Sequence, residues 1–330
     1  MKQEGMNEVG QILKHHLEAA WHRRKTYIEA HKIEAFRLAT QEELEMPVAV
    51  DKYLDAGVLQ VYDEQIDREA LEELKKLLTS EFGMKEFFEK RRYRVKDAPE
   101  SGGNLKEAPV EKIVNEYGHK FLVNLNNYLD TGLFLDHRET RRMVEKMVSD
   151  FKVINGRGMQ MLNLFAYTGS FSIYAAAGGA DMTHTVDLSK TYCDWARRNL
   201  DLNGFAKDQH WVYRMDNFEF YKYAARKQLM FDLIIIDPPT FSRNKDSNFS
   251  VQRDQIDLIE GAASLLSPGG KIIFSNNCLD FQLSPKLRRD FKVKDIQTET
   301  IPQDFWIDTV HEDWWQDKNQ IHNCFLLEQN

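Results

Sequence analysis

Cysteine is scarce: Cys193, Cys278 and Cys324 are the only three in 330 residues, they stand far apart, and no Cys-x-x-Cys pair occurs. Neither a disulfide framework nor a zinc cluster is implied. The ten histidines form no His-Glu-x-x-His, and His15 and His16 are adjacent. On a helix they would turn to different sides, so no structural metal is expected. No apolar run approaches the roughly 20 residues of a bilayer span, and the start, MKQEGMNEVG, lacks the apolar core of a secretory signal. The cytoplasm is the expected address, with no membrane partner. Positive charge is also in deficit, with 44 Lys and Arg against 52 Asp and Glu and a net charge of −8. Taken in bulk, that balance argues against binding phosphate-rich nucleic acid.

The distribution of charge is more informative than its sum. Positive residues gather in KHHLEAAWHRRK (Lys14 to Lys25), KEFFEKRRYRVK (Lys85 to Lys96), DHRETRR (Asp136 to Arg142) and KLRRDFKVK (Lys286 to Lys294). Any one of these could be a solvated face; four together, two with aromatics interleaved, favour a local RNA-binding surface. With 42% hydrophobic and 29% charged residues the chain is an ordinary globular one, long enough for a main domain and a smaller one.

Apolar residues Ile12, Leu13, Leu17, Ala20, Trp21 and Ile28 recur at helical spacing, which predicts an amphipathic helix from about Gly10 to Ile33. AFRLA, VAVDKY and VLQVYD then read as short strands, Asp67 as the cap of a helix that Gly83 stops, and FFEKRRYRV and KFLVNL as further strands. Residues 1–126 thus form a helical arm and a small α+β domain, with 127–330 as the main domain. In the latter MQMLNLFA, MTHTVDL, QHWVYRMD, FDLIIIDPP and GGKIIFSNN read as strands separated by helices. That alternation implies an α/β, doubly wound, mostly parallel sheet, whose ligands sit at the carboxyl ends of the strands.

Four strand ends carry candidate chemistry. After the first, Thr168 and Gly169 allow a tight turn and Ser170 can cap the next helix. A single glycine in that turn is not the GxGxxG fingerprint, so a nicotinamide cofactor is disfavoured. Asp187, some 20 residues on, is placed to accept from both hydroxyls of a ribose, or to assist Ser189 in capping a helix. Asp216 ends the third strand, either to meet an adenine amine or as a loop acid without a ligand. The fourth ends in DPPT: Pro238 and Pro239 fix two φ angles and stiffen the rim, Asp237 brings a carboxylate, and Phe241 can stack on a planar base.

LDTGLFLDHR, NLFAYTGS, VDLSKTYCDWARRNLDLNG, FDLIIIDPPTFS, VQRDQ, FSNN, QDF and QIHNC, in this order along nearly the whole chain, resemble the C-terminal half of the bifunctional bacterial 23S rRNA guanine methyltransferases. That half makes 7-methylguanosine; the other half, which makes N2-methylguanosine, is not matched. The resemblance implies a Rossmann-like class I methyltransferase with a seven-stranded sheet, S-adenosylmethionine as donor, and 23S rRNA or a large-subunit assembly intermediate as partner. It implies that Phe165, Tyr167, Thr168 and Gly169 line the cofactor, with Asp136, Arg138, Asn163, Leu188, Asn217 and Asp237 around it. By the same resemblance Asp187 takes the ribose, Asp216 the adenine, and Asp237 to Thr240, with Phe241, the target base. Arg138 falls near the cofactor's carboxylate, or in a surface ion pair with Asp136 or Glu139. WIDTVHEDWWQD, with Trp314 and Trp315, looks like an insertion relative to the family.

Two rivals follow. A 5-methylcytosine methyltransferase of the same fold would need a nucleophile such as Cys278, just beyond the fifth strand; FSNNC does not match the motif expected for it. A non-catalytic RNA-binding assembly factor is opposed by the intact strand-end acids, and a small-molecule methyltransferase by the basic runs and the extra domain.

Overall fold

A computed structural model describes residues 7–93, 107–205, 207–243, 248–306 and 321–330. The insertion with Trp314 and Trp315 lies outside the described residues. Two compact units are formed, one from residues up to 135 with 302–306, the other from residues 136–301 and 321–330.

In the first unit, helix α1 (Glu8–His31) starts where Asn7 accepts from Gly10 N at 2.8 Å and ends at Lys32 in the left-handed region. Its buried stripe is Leu13, Leu17, Ala20, Arg24 and Ile28; Ile12, expected in that stripe, turns outward. Strand β1 (Ala35–Ala39), the short α2 (Gln41–Leu44), β2 (Val48–Tyr53), β3 (Ala56–Val61), α3 (Arg68–Phe82) and β4 (Glu86–Arg91) complete a four-stranded sheet in the order β1-β2-β3-β4. Helix α3 is the crossover between parallel β3 and β4, capped by Asp67 and stopped by Gly83 at φ 64°. Leu71, Leu74 and Leu78 of α3 meet Leu13 and Leu17 of α1 over Val48, Val50, Leu59 and Val61.

A line of polar side chains also crosses this sheet. Arg37 pairs with Asp51 at 2.5 Å, Gln60 donates to Asp51 at 2.9 Å, and Arg92 bonds Gln60 at 2.7 Å and Asp130 at 2.9 Å. Residues 302–306 close the line: Arg37 N donates to Asp304 Oδ2 at 2.9 Å, and the Arg37 guanidinium lies 4.8 Å over Phe305. Buried Arg24 donates to the Asp304 carbonyl at 3.0 Å and forks onto Glu43 at 2.7 Å. A hairpin not foreseen in full follows, β5 (Glu111–Glu116) with β6 (His119–Asn124), turned through Tyr117 and Gly118, both at positive φ.

The second unit runs α4 (Arg138–Asn155), β7 (Gln160–Leu164), α5 (Ser170–Ala177), β8 (Met182–Asp187), α6 (Lys190–Leu202), β9 (His210–Arg214), α7 (Asn217–Arg226) and β10 (Phe231–Ile236). A small hairpin, β11 (Phe241–Arg243) and β12 (Asn248–Ser250), then leads to α8 (Val251–Ala263), β13 (Leu266–Asn276), α9 (Pro285–Asp290), β14 (Phe291–Asp295), α10 (Gln297–Thr300) and β15 (Asn323–Gln329). The sheet is seven-stranded, in the order β14-β15-β13-β10-β7-β8-β9, with only β15 antiparallel to its neighbours. This is the α/β arrangement the strand-helix alternation predicts.

Strand β10 shows why its sequence is continuously apolar. Ile234 and Ile236 pack with Phe220, Leu258 and Ile259 on one face, while Leu233 and Ile235 pack with Val144, Val148 and Phe171 on the other. A strand covered on both sides has no polar face to show. Chain order reverses between β10 and β7, so a crevice opens at the carboxyl ends of those two strands.

Candidate functional site

The loop after β7 is the most strained backbone of the second unit. Phe165, Tyr167 and Gly169 all have positive φ, 52°, 51° and 78°, and each non-glycine residue there costs about 1–2 kcal/mol. Neighbouring groups hold the strain in place. Ala166 N donates to Val186 O at 3.0 Å, Tyr167 N to Asp187 Oδ2 at 2.9 Å, and Asn199 Nδ2 to Thr168 O at 3.1 Å. The Tyr167 ring sits edge-on to Tyr192 at 4.6 Å, and Phe165 lies 5.5 Å from Phe249 of the β11–β12 hairpin. Ser170 does not cap α5 as expected; Gly169 occupies the cap and makes no side-chain bond. A Cβ on Gly169 would lie 3.0 Å from Ala196 Cβ, so the turn hugs α6 too closely for a larger cap residue. Asn163, on β7, is buried; its Nδ2 bonds Ser172 at 3.1 Å and its Oδ1 has no hydrogen-bond partner among the described residues.

Asp187 ends β8, and Asp216 lies two residues beyond β9 on the same edge. Asp187 takes N–H bonds from Tyr167 and, at 2.8 Å, Ser189, while Ser189 itself caps α6. The capping reading of Asp187 is therefore seen in the structure. Burial pushes its carboxyl above the ordinary value, against the backbone N–H groups of Ser189, Tyr167 and Leu188. Leu188, next to it, is exposed. Asp216 caps α7 through Oδ1, which accepts from Phe218 N at 2.9 Å and Glu219 N at 3.4 Å; its Oδ2 meets no hydrogen-bond donor among the described residues. Asn217 is buried, with Oδ1 3.5 Å from Phe165 N.

Asp237 follows β10. Its Oδ1 accepts from Ser275 Oγ at 2.6 Å and stands 3.7 Å from His137 Nε2. Pro238 is buried and Pro239 exposed, Thr240 Oγ1 donates to Asn277 at 3.2 Å, and Phe241 presents its ring to solvent, 72% exposed. Asp136, just before α4, is 3.4 Å from His322 Nδ1; burial pushes its carboxyl up, but His137 and His322 outweigh it and hold it well below the usual range. Arg138 is fully buried at the start of α4, so it is not a surface side chain. Cys278, half-buried beyond β13, has its N–H on Asn276 and its carbonyl on Asn323.

The structure thus gathers Asp187, Asp216, Asp237 and the Phe165–Gly169 loop at the carboxyl ends of four adjacent parallel strands. The sequence reading missed His137 and His322 as members of this group. Both stood in quoted blocks, DHR and QIHNC, and that was their only signal. It also overstated the basic runs. Lys14 pairs with Glu81 and Glu18, Arg23 and Arg24 with Glu43, Lys25 with Glu29, Lys85 with Asp55, and Lys294 with Glu299. Arg138 and Arg141 are buried, and so is Lys90, which donates to the Tyr128 carbonyl. Acids on the same helix, such as Glu18 and Glu29, and on neighbouring elements neutralise much of what looked like RNA-facing charge.

A family model described as S-adenosylmethionine-dependent methyltransferase matches residues 60–310. The ribosomal RNA large subunit methyltransferase K of Neisseria meningitidis serogroup B is 38% identical over 318 residues, which cover 93% of this chain and 85% of its own. The K/L protein of Marinomonas sp. is 35% identical over 98% of this chain, and the chain spans 43% of that relative's length. Among solved structures, SMU.776, whose description names a methyltransferase complexed with SAH, has a TM-score of 0.79 and 27% identity over 99% of this chain and 83% of its own. No helix among the described residues is long and apolar enough to cross a membrane.

Proposed function

The chain belongs to the S-adenosylmethionine-dependent methyltransferase family, and from that premise we propose that it methylates N7 of a guanine in 23S rRNA. The cofactor supplies an electrophilic methyl group on a positively charged sulfur. The residues fit such a molecule: Asp216 Oδ2 is an unused acceptor for an amine, and each Asp187 oxygen keeps a lone pair for a ribose hydroxyl. In this reading Asp136, Arg138, Asn163, Phe165, Tyr167, Thr168, Gly169, Asp187, Leu188, Asp216 and Asn217 surround the donor. Asp237, Pro238, Pro239 and Phe241 border the target base.

One observation carries the reading of the transfer position: Asp237 emerges from β10 beside the chain reversal, followed by a proline-stiffened rim that ends in an exposed aromatic ring. Guanine N7 has a lone pair in the neutral base, so no group need remove a proton. The protein's work is to orient the base on Phe241, exclude water, and stabilise with Asp237 the positive charge that develops on the imidazole ring. N7 lies in the deep groove of A-form RNA, so a loop or an opened helix is the substrate, with the base splayed out. The relatives' names support large-subunit ribosomal RNA; the basic runs, being largely paired, lend little.

Mass spectrometry of rRNA nucleosides from cells with and without the gene tests this. Loss of a single 7-methylguanosine from 23S rRNA is the expected result. Loss of 5-methylcytosine instead would point to Cys278, and unchanged nucleosides to an assembly factor.

A further inference from the structure

Two imidazoles lie stacked beside Asp237: His137 and His322, with ring centroids 4.4 Å apart and planes at 12°. Both are buried. Each sets one nitrogen on a threonine hydroxyl, His137 Nδ1 at 3.3 Å from Thr140 Oγ1 and His322 Nε2 at 2.9 Å from Thr300 Oγ1. The other two nitrogens face carboxylates. His322 Nδ1 is 3.4 Å from Asp136 Oδ2, while His137 Nε2 is 3.7 Å from Asp237 Oδ1 and 4.0 Å from Asp136 Oδ2. Ligand atoms of Asp136, His137 and His322 come within 4.8 Å of one another, a spacing that suits a cation. Stacking works against it, because the two lone pairs lie in nearly parallel planes and one ion cannot lie in both. Protons are the better match for this group.

The position of one proton follows from the neighbours. Were it on His137 Nδ1, a bare Nε2 lone pair would face two carboxylates in a buried space, which is repulsive. With the proton on Nε2, Thr140 donates its hydroxyl to Nδ1 and the N–H points toward Asp237 and Asp136. Burial, His322 and Arg141 push His137 below its ordinary value, and Asp237 and Asp136 pull the other way; the net is downward, in keeping with a neutral ring. Ser275 also donates to Asp237 Oδ1, so both approaches converge on one oxygen. Oδ2 is left without a partner among the described residues.

We propose that His137, clamped by Thr140 and His322, is a positioning residue that aims the Asp237 carboxylate, with one oxygen tethered and the other turned to the reacting base. This rests on reading Asp237 as the carboxylate that borders that base. Methyl transfer to a protein-free 23S rRNA transcript by the full chain tests it, using His137→Phe, which keeps a ring but loses the N–H, and His137→Gln, which restores an N–H near Nε2. His137→Phe is expected to lower kcat about tenfold to hundredfold while S-adenosylmethionine affinity stays within about twofold. His137→Gln should recover most of the loss. Equal losses in both variants would leave only a packing role and overturn the proposal. Nitrogen-15 shifts of His137 in the unaltered protein give a check independent of folding: Nε2–H is expected, and Nδ1–H overturns it. Asp237→Asn, run alongside, separates the two claims. Wild-type turnover there sinks the reading of the site, whereas a slow Asp237→Asn beside a fast His137→Phe sinks the positioning role alone.

Discussion

Asp187 and Asp237 stand at the same edge of one sheet with β7 between their strands, yet they are held in different ways. Asp187 is gripped by backbone N–H groups, of Tyr167 and Ser189. Asp237 is met by side chains, Ser275 and His137. Backbone donors come with the turn and are present whatever the side chains are, so the β8 end is fixed as soon as the loop folds. The Ser275 hydroxyl from β13, with the His137 ring from the start of α4 3.7 Å away, reaches the β10 end only when distant parts of the chain have come together. The contrast suits the proposed division of labour: a cofactor end that is always the same, and a transfer end that can be tuned residue by residue.

The sharpest way to break this contrast is Asp237→Asn, which should cost about a hundredfold in kcat while calorimetry shows S-adenosylmethionine binding little changed. A matching loss of cofactor affinity would erase the distinction. Asp187→Ala should do the reverse, weakening the cofactor about tenfold to hundredfold, as loss of hydrogen bonds to a charged group does, with smaller effects at saturation. It also strands the Tyr167 and Ser189 N–H groups, so thermal unfolding should report a loss of about 1–3 kcal/mol.

Asp136→Asn sharpens the comparison through pH. Burial raises the Asp136 carboxyl, but His137 and His322 win and lower it in the folded protein. A depressed carboxylate contributes stability above its unfolded pKa and loses it as pH falls through its folded value. The melting-temperature gap between wild type and Asp136→Asn should therefore be widest at neutral pH and shrink on acidification below about pH 4. A gap that widens in acid would reverse the sign. The smallest effect belongs to Cys278→Ala, for which methyl transfer should be unchanged; loss of turnover would favour the covalent cytosine route.

What the sequence disclosed was what is local. Asp67 and Gly83 bound α3 because a cap and a stop act within one turn, and the apolar run of β10 announced a strand buried on both faces. Asp187, Asp216 and Asp237 were visible because each lies at or within two residues of a strand's end. Strand β5 was missed because EKIVNE offers only two apolar side chains, and β11 and β12, three residues each, are too short for a period to register. Ser170 was misread as a cap because the closeness of α6 to Gly169 belongs to packing. The bond from His322 to Asp136 spans 186 positions, and no spacing rule reaches that far. The same blindness made the basic runs look bare, since Glu43 and Glu81, which pair with them, lie on other helices or loops.

The return of residues 302–306 to the first unit has a bearing on synthesis. Arg24 and the Arg37 N–H complete their bonds only with Asp304, which the ribosome delivers long after residue 135. At ordinary translation speeds that is an interval of about ten to thirty seconds, during which nearly all of the second unit's sheet is made. The amino-terminal unit is therefore begun first and finished among the last, and a nascent chain halted before residue 304 would carry a buried guanidinium with one donor still waiting.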